Sequence, residues 1–153
     1  MKLRRKEIEE IIITWINAWN NHKLSAVMDL FHQDAVFISW AGKRICGKRS
    51  IQRAWSNWFV NHCGFYFSLD LIVIDELKQI ATIQWKLSWP SQEIGYLNQD
   101  EVRCGVDILK FQDGLLISKM TYSQTAVFIN AKKSNCMLKL TKHFGASIPK
   151  ALR

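Results

Sequence analysis

The sequence predicts an α+β protein in which helices precede an antiparallel sheet. Apolar residues recur at helical spacing before residue 62, and four β-rich runs follow Gly64. The turns between these runs are short, which favours antiparallel neighbours in a sheet. Helices first and a meander afterwards are typical of helices packed on one face of a curved sheet.

The N-terminal half contains three predicted helices and one predicted strand. Helical spacing of apolar residues predicts a first helix over about residues 6–20, a short second helix over 24–31 and a third over 47–62. The run Ala35-Val36-Phe37-Ile38-Ser39-Trp40 predicts a strand between the second and third helices.

The C-terminal half contains the four β-rich runs, over residues 65–74, 79–89, 102–111 and 115–125. Gln112-Asp113-Gly114 is a strong hairpin signal between the last two. Polar and apolar residues alternate along 82–89, so one sheet face is expected to be apolar and the other partly polar. We therefore expect a single folded domain over 1–125 and a basic tail over 126–153.

The net charge of +8 is concentrated in two arms. Residues 2–6 hold four of the 21 basic residues, and residues 132–153 hold six basic residues and no acidic one. The other eleven basic residues and all 13 acidic residues lie in the rest of the chain, whose net charge is therefore slightly negative. Basic arms can bind phosphates. The tail offers few aromatic side chains for stacking on bases, so nucleic-acid binding is not expected.

Several other classes of protein are not expected. No apolar run reaches the roughly 18 residues that a membrane span requires, and acidic residues interrupt the basic N-terminus where a signal peptide would become apolar. The four cysteines include no CxxC pair, which favours reduced thiols and a cytoplasmic location. The histidines lack metal-ligand spacing, so neither a metal nor a cofactor is predicted.

Asp107 is the most informative single residue. It shares one strand face with Gly105, Leu109 and Phe111, and with Arg103 farther along the strand. A carboxylate among apolar neighbours loses solvation and needs a partner, or its pKa rises. Asp107 is therefore either an acid, base or ligand contact, or a structural acid satisfied by an indole N–H or the backbone.

The order of these elements resembles the NTF2-like, or SnoaL-like, superfamily, which includes ketosteroid isomerase and small polyketide cyclases. The resemblance rests on W-I-N-A-W-N at 15–20, L-F-H-Q-D-A-V-F at 30–37, G-K-R-S-I at 47–51 and R-C-G-V-D-I-L-K-F-Q-D-G at 103–114. It implies an α+β cone in which three N-terminal helices close one end of a strongly bent, mainly antiparallel sheet. It also implies a mostly apolar pocket and a homodimer.

The resemblance assigns roles to individual positions. Asp107 matches the acid that ketosteroid isomerases keep beside the substrate oxygen. Trp15 stands where they carry a hydrogen-bonding Tyr, and Ser39 where they carry the Asp base. An indole cannot shuttle a proton and a serine hydroxyl is no base at neutral pH, so steroid-type isomerisation is not expected.

The candidate site combines Asp107 as catalytic acid or base with a set of substrate-binding residues. Arg103 is expected at the pocket mouth, where it would bind an anionic substituent. The expected substrate-binding residues are Trp15, Trp19, Phe37, Ser39, Trp55, Phe59, Trp85 and Arg103.

The sequence supports two classes of function. The first is a SnoaL-like protein that binds a small apolar or aromatic ligand, with isomerase, cyclase or hydratase activity centred on Asp107 as its enzymatic form. The alternative is a non-catalytic dimeric interaction module whose basic tail contacts a partner. The sequence leaves open whether the protein is an enzyme, because this fold hosts both enzymes and binders.

Overall fold

Three helices make up the α part of the fold. The computed structural model describes residues 1–124, 126–130 and 132–134. Helix α1 spans Arg5–Asn20, α2 spans Leu24–Asp29 and α3 spans Lys48–Asn61. At the start of α1 the backbone N–H of Arg4 donates to the Glu7 carboxylate over 2.7 Å, which satisfies a backbone donor at the helix end.

The strands form one curved sheet. Their bounds are β1 Phe31–Ile38, β2 Arg44–Cys46, β3 Tyr66–Asp75, β4 Ile80–Pro90, β5 Asp100–Gln112, β6 Leu115–Ser123, β7 Val127–Ile129 and β8 Lys132–Ser134. The main order is β2-β1-β6-β5-β4-β3, and β7 pairs with β5 and β8. The β1–β6 pair is parallel and the other pairs are antiparallel.

The helices pack on the inner face of this sheet through aromatic side chains. The ring of Trp19 on α1 lies 5.8 Å from that of Phe67 on β3, and Trp55 on α3 lies 5.1 Å from Phe37 on β1. Along β5 the odd-numbered residues are buried and most even-numbered ones are more exposed, as the period of a strand requires. The predicted α+β class, with three helices on a mainly antiparallel curved sheet, is confirmed.

The sheet differs from the predicted one at its ends. Strand β1 begins at Phe31, which the apolar spacing had assigned to α2, because this residue pairs with Leu116 of β6. Strands β2, β7 and β8 are three residues each, too short for a periodic pattern to predict. The sheet also does not end at residue 125, since Val127 and Ile129 of β7 are buried. Residues 135–153 of the predicted tail lie outside the described residues.

The described part of the chain has no helix long and apolar enough to cross a membrane. Within it, Cys46, Cys63 and Cys104 are free thiols, and no group of three potential metal-ligating side chains occurs.

Candidate functional site

An aromatic cavity lies between the helices and the inner face of the sheet. The volume that the centre of a water molecule can reach there is about 40 Å³. Eight of its ten lining residues are aromatic or aliphatic, and the other two are Lys119 and Thr121 of β6. The apolar members are Trp19, Phe37, Trp40, Trp55, Trp58, Phe67, Trp85 and Leu87.

A buried polar cluster formed by Asp107, Lys119 and Thr121 stands at the wall of this cavity. The Lys119 Nζ lies 2.8 Å from Asp107 Oδ2 and donates to Thr121 Oγ1 over 2.5 Å. The Thr121 hydroxyl donates to Asp107 Oδ1 over 2.7 Å. The three side chains therefore close a ring of polar contacts.

Strand register brings the cluster together. Asp107 of β5 is paired with Thr121 of β6, and Leu109 with Lys119. Lys119 and Thr121 are two residues apart, so they share a face of β6, and Asp107 lies directly across from one and diagonally from the other. Since this face is the inner one, all three side chains are buried.

The electrostatics of Lys119 are set by opposing effects. Burial lowers the pKa of this lysine below its ordinary value, and the Asp107 carboxylate works against that shift through its charge and its hydrogen bond. The ammonium lies 5.2 Å from the centre of the Phe37 ring and 5.7 Å from that of Trp15, within cation–π range. Lys119 is therefore held among aromatic rings by a single carboxylate.

Three tryptophans that line the cavity carry indole N–H groups without a partner in the described part of the chain. The indole N–H groups of Trp19, Trp58 and Trp85 are buried, and no acceptor for them occurs among the described residues. Buried polar groups usually have a partner, so each orphaned donor calls for one. An oxygen-bearing ligand in the cavity would supply acceptors.

The structure divides the sequence-predicted site residues into two groups. Trp19, Phe37, Trp55 and Trp85 line the aromatic cavity. Asp107 is fully buried on the inner face but stands behind Lys119 and Thr121, which line the cavity in its place. Its partners are these two residues and not an indole N–H or the backbone, the partners expected for a structural acid.

Three other expected contacts do not line the cavity. Trp15 borders a second, smaller space. Ser39 is buried, and its hydroxyl accepts a hydrogen bond from the Lys43 backbone N–H over 3.2 Å. Phe59 contacts two residues that line the cavity, Trp19 and Trp58, whose ring centres lie 4.9 and 6.0 Å from its own.

Arg103 belongs to a separate buried cluster. Its guanidinium donates twice to Oε1 of Glu101, over 3.0 and 2.8 Å, and packs 5.7 Å from the Trp89 ring. Ser91 donates to the other oxygen of Glu101 over 2.8 Å. A carboxylate thus engages Arg103 away from the cavity, which Arg103 does not line, and its contact with a ligand anion stays a prediction.

Lys119 and Thr121 are the functional candidates that the sequence did not reveal. Their strand was predicted, but which of its faces points inward depends on a register irregularity in the β5–β6 pair. Trp40, Trp58, Phe67 and Leu87 also line the cavity without having been named. The alternation of buried residues along β3 and β4 was the available signal for Phe67 and Leu87.

Comparisons with solved structures identify proteins of the same fold. An NTF2-like protein of unknown function from Mesorhizobium loti is 20% identical, with 81% of this chain and 96% of that chain covered and a TM-score of 0.62. AclR from Streptomyces galilaeus is 15% identical, with 80% and 92% covered and a TM-score of 0.68. TerC, co-crystallised with polyporic acid, is 10% identical, with 78% and 92% covered and a TM-score of 0.66.

The family follows from the sequence match. No curated protein matches this sequence. The family model of the SnoaL-like domain matches residues 12–119, which include most of α1, the whole of α2 and α3, strands β1 to β5 and the first half of β6. This chain therefore belongs to the SnoaL-like domain family and has the NTF2-like fold.

Proposed function

We propose that this protein binds a small, mostly apolar ligand carrying an acceptor oxygen in the aromatic cavity, and that Lys119 is the group that contacts this oxygen. The observation that carries the proposal is the buried ring of Asp107, Lys119 and Thr121 at the wall of an otherwise apolar cavity. Burying two charges costs free energy even when they are paired, so such a pair in a cavity is a candidate functional site.

The size of the cavity limits the ligand. Because one water molecule needs about 10–15 Å³ of such volume, the cavity has room for about three waters. A ligand of about three to five non-hydrogen atoms fits that space. A larger conjugated ligand would require the half-buried Trp40, which follows β1 in the chain, to move.

The chemistry we propose is polarisation of a carbonyl oxygen. Lys119 has three N–H bonds, and Thr121 and Asp107 lie against the ammonium on one side. A remaining N–H can donate to a ligand oxygen, and donors aimed at a developing oxyanion stabilise enolate-like transition states. Isomerases, cyclases and hydratases that act on carbonyl compounds all need a donor that stabilises the developing negative charge on oxygen. In this scheme Asp107 acts through Lys119 as a positioning residue.

Paired ligands provide a test. Butanone and 2-methylbut-1-ene are within this size limit and differ only in a carbonyl oxygen that replaces a methylene, and binding of either can be followed by quenching of the tryptophan fluorescence. We expect the protein to prefer the ketone by about tenfold or more, since a hydrogen bond to a charged group contributes about 1.5–3 kcal/mol.

The matched control for this test is Lys119→Met, which keeps the length of the side chain. In the folded variant the preference for the ketone should fall to near one, and Thr121→Val, which leaves the ammonium in place, should retain most of it. Failure of both ligands to bind, or an unchanged preference in Lys119→Met, would overturn the proposal.

A homodimer through the outer face of the sheet is also part of the proposal. Large apolar residues are exposed on that face, and exposed apolar surface can mark an interaction site. Strand register puts five of them there: Tyr66, Leu71, Val73, Ile108 and Tyr122. This surface is also what favours the non-catalytic interaction module as the second candidate function. A cytoplasmic location stays a prediction.

A further inference from the structure

Lys119 differs from an ordinary strand lysine in its surroundings. Its side chain is 6% exposed, while that of Lys86 on β4, which also forms an ion pair with an aspartate, is 55% exposed. The Lys119 amine borders the aromatic cavity, whereas Lys86 faces outward. The two lysines thus differ mainly in burial and in access to the cavity.

We propose that Lys119 condenses with small aldehydes or ketones to form an imine inside the aromatic cavity. This inference rests on the proposed function, because it requires a carbonyl ligand in the same cavity. It adds that the ligand becomes covalently attached through Nζ and is not only hydrogen-bonded to it.

The groups needed for the proton transfers are in contact. Asp107 Oδ2, 2.8 Å from Nζ, takes a proton from the ammonium and leaves a neutral amine. The nitrogen lone pair forms a bond to the carbonyl carbon, and the carbonyl π electrons move to the oxygen. The proton held by Asp107 passes to this oxygen, and the nitrogen gives its own extra proton to the carboxylate.

Loss of water completes the reaction. Asp107, protonated again, returns its proton to the carbinolamine hydroxyl as the C–O bond breaks and the nitrogen lone pair forms the C=N bond. Amine and carbonyl therefore give imine and one water molecule, with no change in oxidation state. Thr121 Oγ1, within hydrogen-bond distance of both Nζ and Oδ1, can orient the departing oxygen.

The cavity walls favour each stage. An amine is nucleophilic only when neutral, and desolvation among apolar groups lowers the pKa of Lys119 in that direction. The protonated imine carries its charge close to where the ammonium carried it, so the rings of Phe37 and Trp15 can stabilise it. The small volume admits short carbonyl compounds and few waters that would reverse the condensation.

Reductive trapping tests the inference on the native protein. The protein is incubated with limiting propionaldehyde and sodium cyanoborohydride, which reduces an imine to a stable secondary amine, and adducts are located by peptide mass spectrometry. We expect Lys119 to be labelled faster than Lys86 by on the order of tenfold, because Lys119 is the desolvated lysine. Labelling at Lys119 no faster than at Lys86 would overturn the inference.

A competition experiment and a variant sharpen the test. The alkene 2-methylbut-1-ene should slow labelling of Lys119 and leave Lys86 unaffected if the reaction takes place in the cavity. In folded Lys119→Arg, which keeps a positive charge but cannot form an imine, labelling at this position should disappear while that at Lys86 persists. If butanone binds as proposed but Lys119 acquires no adduct with either carbonyl, the inference fails and the proposed function stands.

Discussion

Removing one charged member of the Asp107–Lys119–Thr121 ring should cost more stability than removing all three members together. The single variants are Asp107→Val, Lys119→Met and Thr121→Val, and the triple variant combines them. Each single change at a charged position leaves the opposite charge buried, since the two side chains are 0% and 6% exposed. The triple variant leaves an apolar wall with no charge to satisfy.

The magnitudes follow from the geometry. Breaking a buried ion pair by removing one partner costs about 3–5 kcal/mol. For Asp107→Val the cost has a ceiling, because Lys119 can instead lose its proton. Neutralising a lysine of ordinary pKa 10.5 at pH 7 costs about 5 kcal/mol at roughly 1.4 kcal/mol per pH unit. Thr121→Val removes two hydrogen bonds and should cost about 1–3 kcal/mol.

Urea unfolding measured by tryptophan fluorescence provides the free energies. We expect the triple variant to lie within about 2 kcal/mol of the wild type, because replacing a buried pair with apolar residues is often close to neutral. Equal slopes in urea would show that the unfolded states are comparable. If the costs of the single changes add up in the triple variant, the three side chains do not act as one unit and the electrostatic argument is wrong.

Three further predictions concern the frame around the site. Gly105→Ala should destabilise the protein by about 1–3 kcal/mol in urea, since its Cβ would collide with the Trp85 ring; an unchanged midpoint would contradict this. Asn20→Ala should cost about 1–3 kcal/mol and lower the thermal midpoint, because Asn20 exchanges hydrogen bonds of 2.8 and 2.7 Å with the Phe67 backbone; an unaltered midpoint would argue against this role. Ile108→Lys should turn a dimer into a monomer in light scattering, and a wild-type monomer at high micromolar concentration would refute the dimer.

Most of the fold could be predicted because its long elements have clear periods. Helix α1 has apolar residues at helical spacing, and β4 and β5 alternate strictly, so their type and approximate bounds followed from sequence. The short strands could not be predicted, because β2 and β7 are defined by their pairing with β1 and β5 and not by a periodic pattern of their own. The start of β1 at Phe31 likewise depends on a partner distant in the chain.

The site was predicted in part for a similar reason. The burial of Asp107 and the face it shares with Arg103 follow from strand parity within β5 alone. The partners of Asp107 do not follow from it, because Lys119 and Thr121 are on the next strand, whereas Glu101 shares the face of Arg103 on β5 itself. Sequence reasoning identified a buried acid that needs a partner, but not which residue meets the need.

One irregular residue in β6 explains why Lys119 could not be predicted as the partner of Asp107. Near the turn, Gln112 pairs with Leu115 and Phe111 with Leu116, and this register would put Asp107 opposite Met120. The register shifts at Ile117, so that Asp107 instead meets Thr121. Because neighbouring residues of a strand point to opposite faces, a shift of one residue exchanges the faces of the remaining strand. Because of this bulge, Lys119 borders the aromatic cavity and its ammonium can pair with Asp107. A hydropathy pattern does not show where such a bulge occurs, so the partner of Asp107 could not be predicted from the sequence.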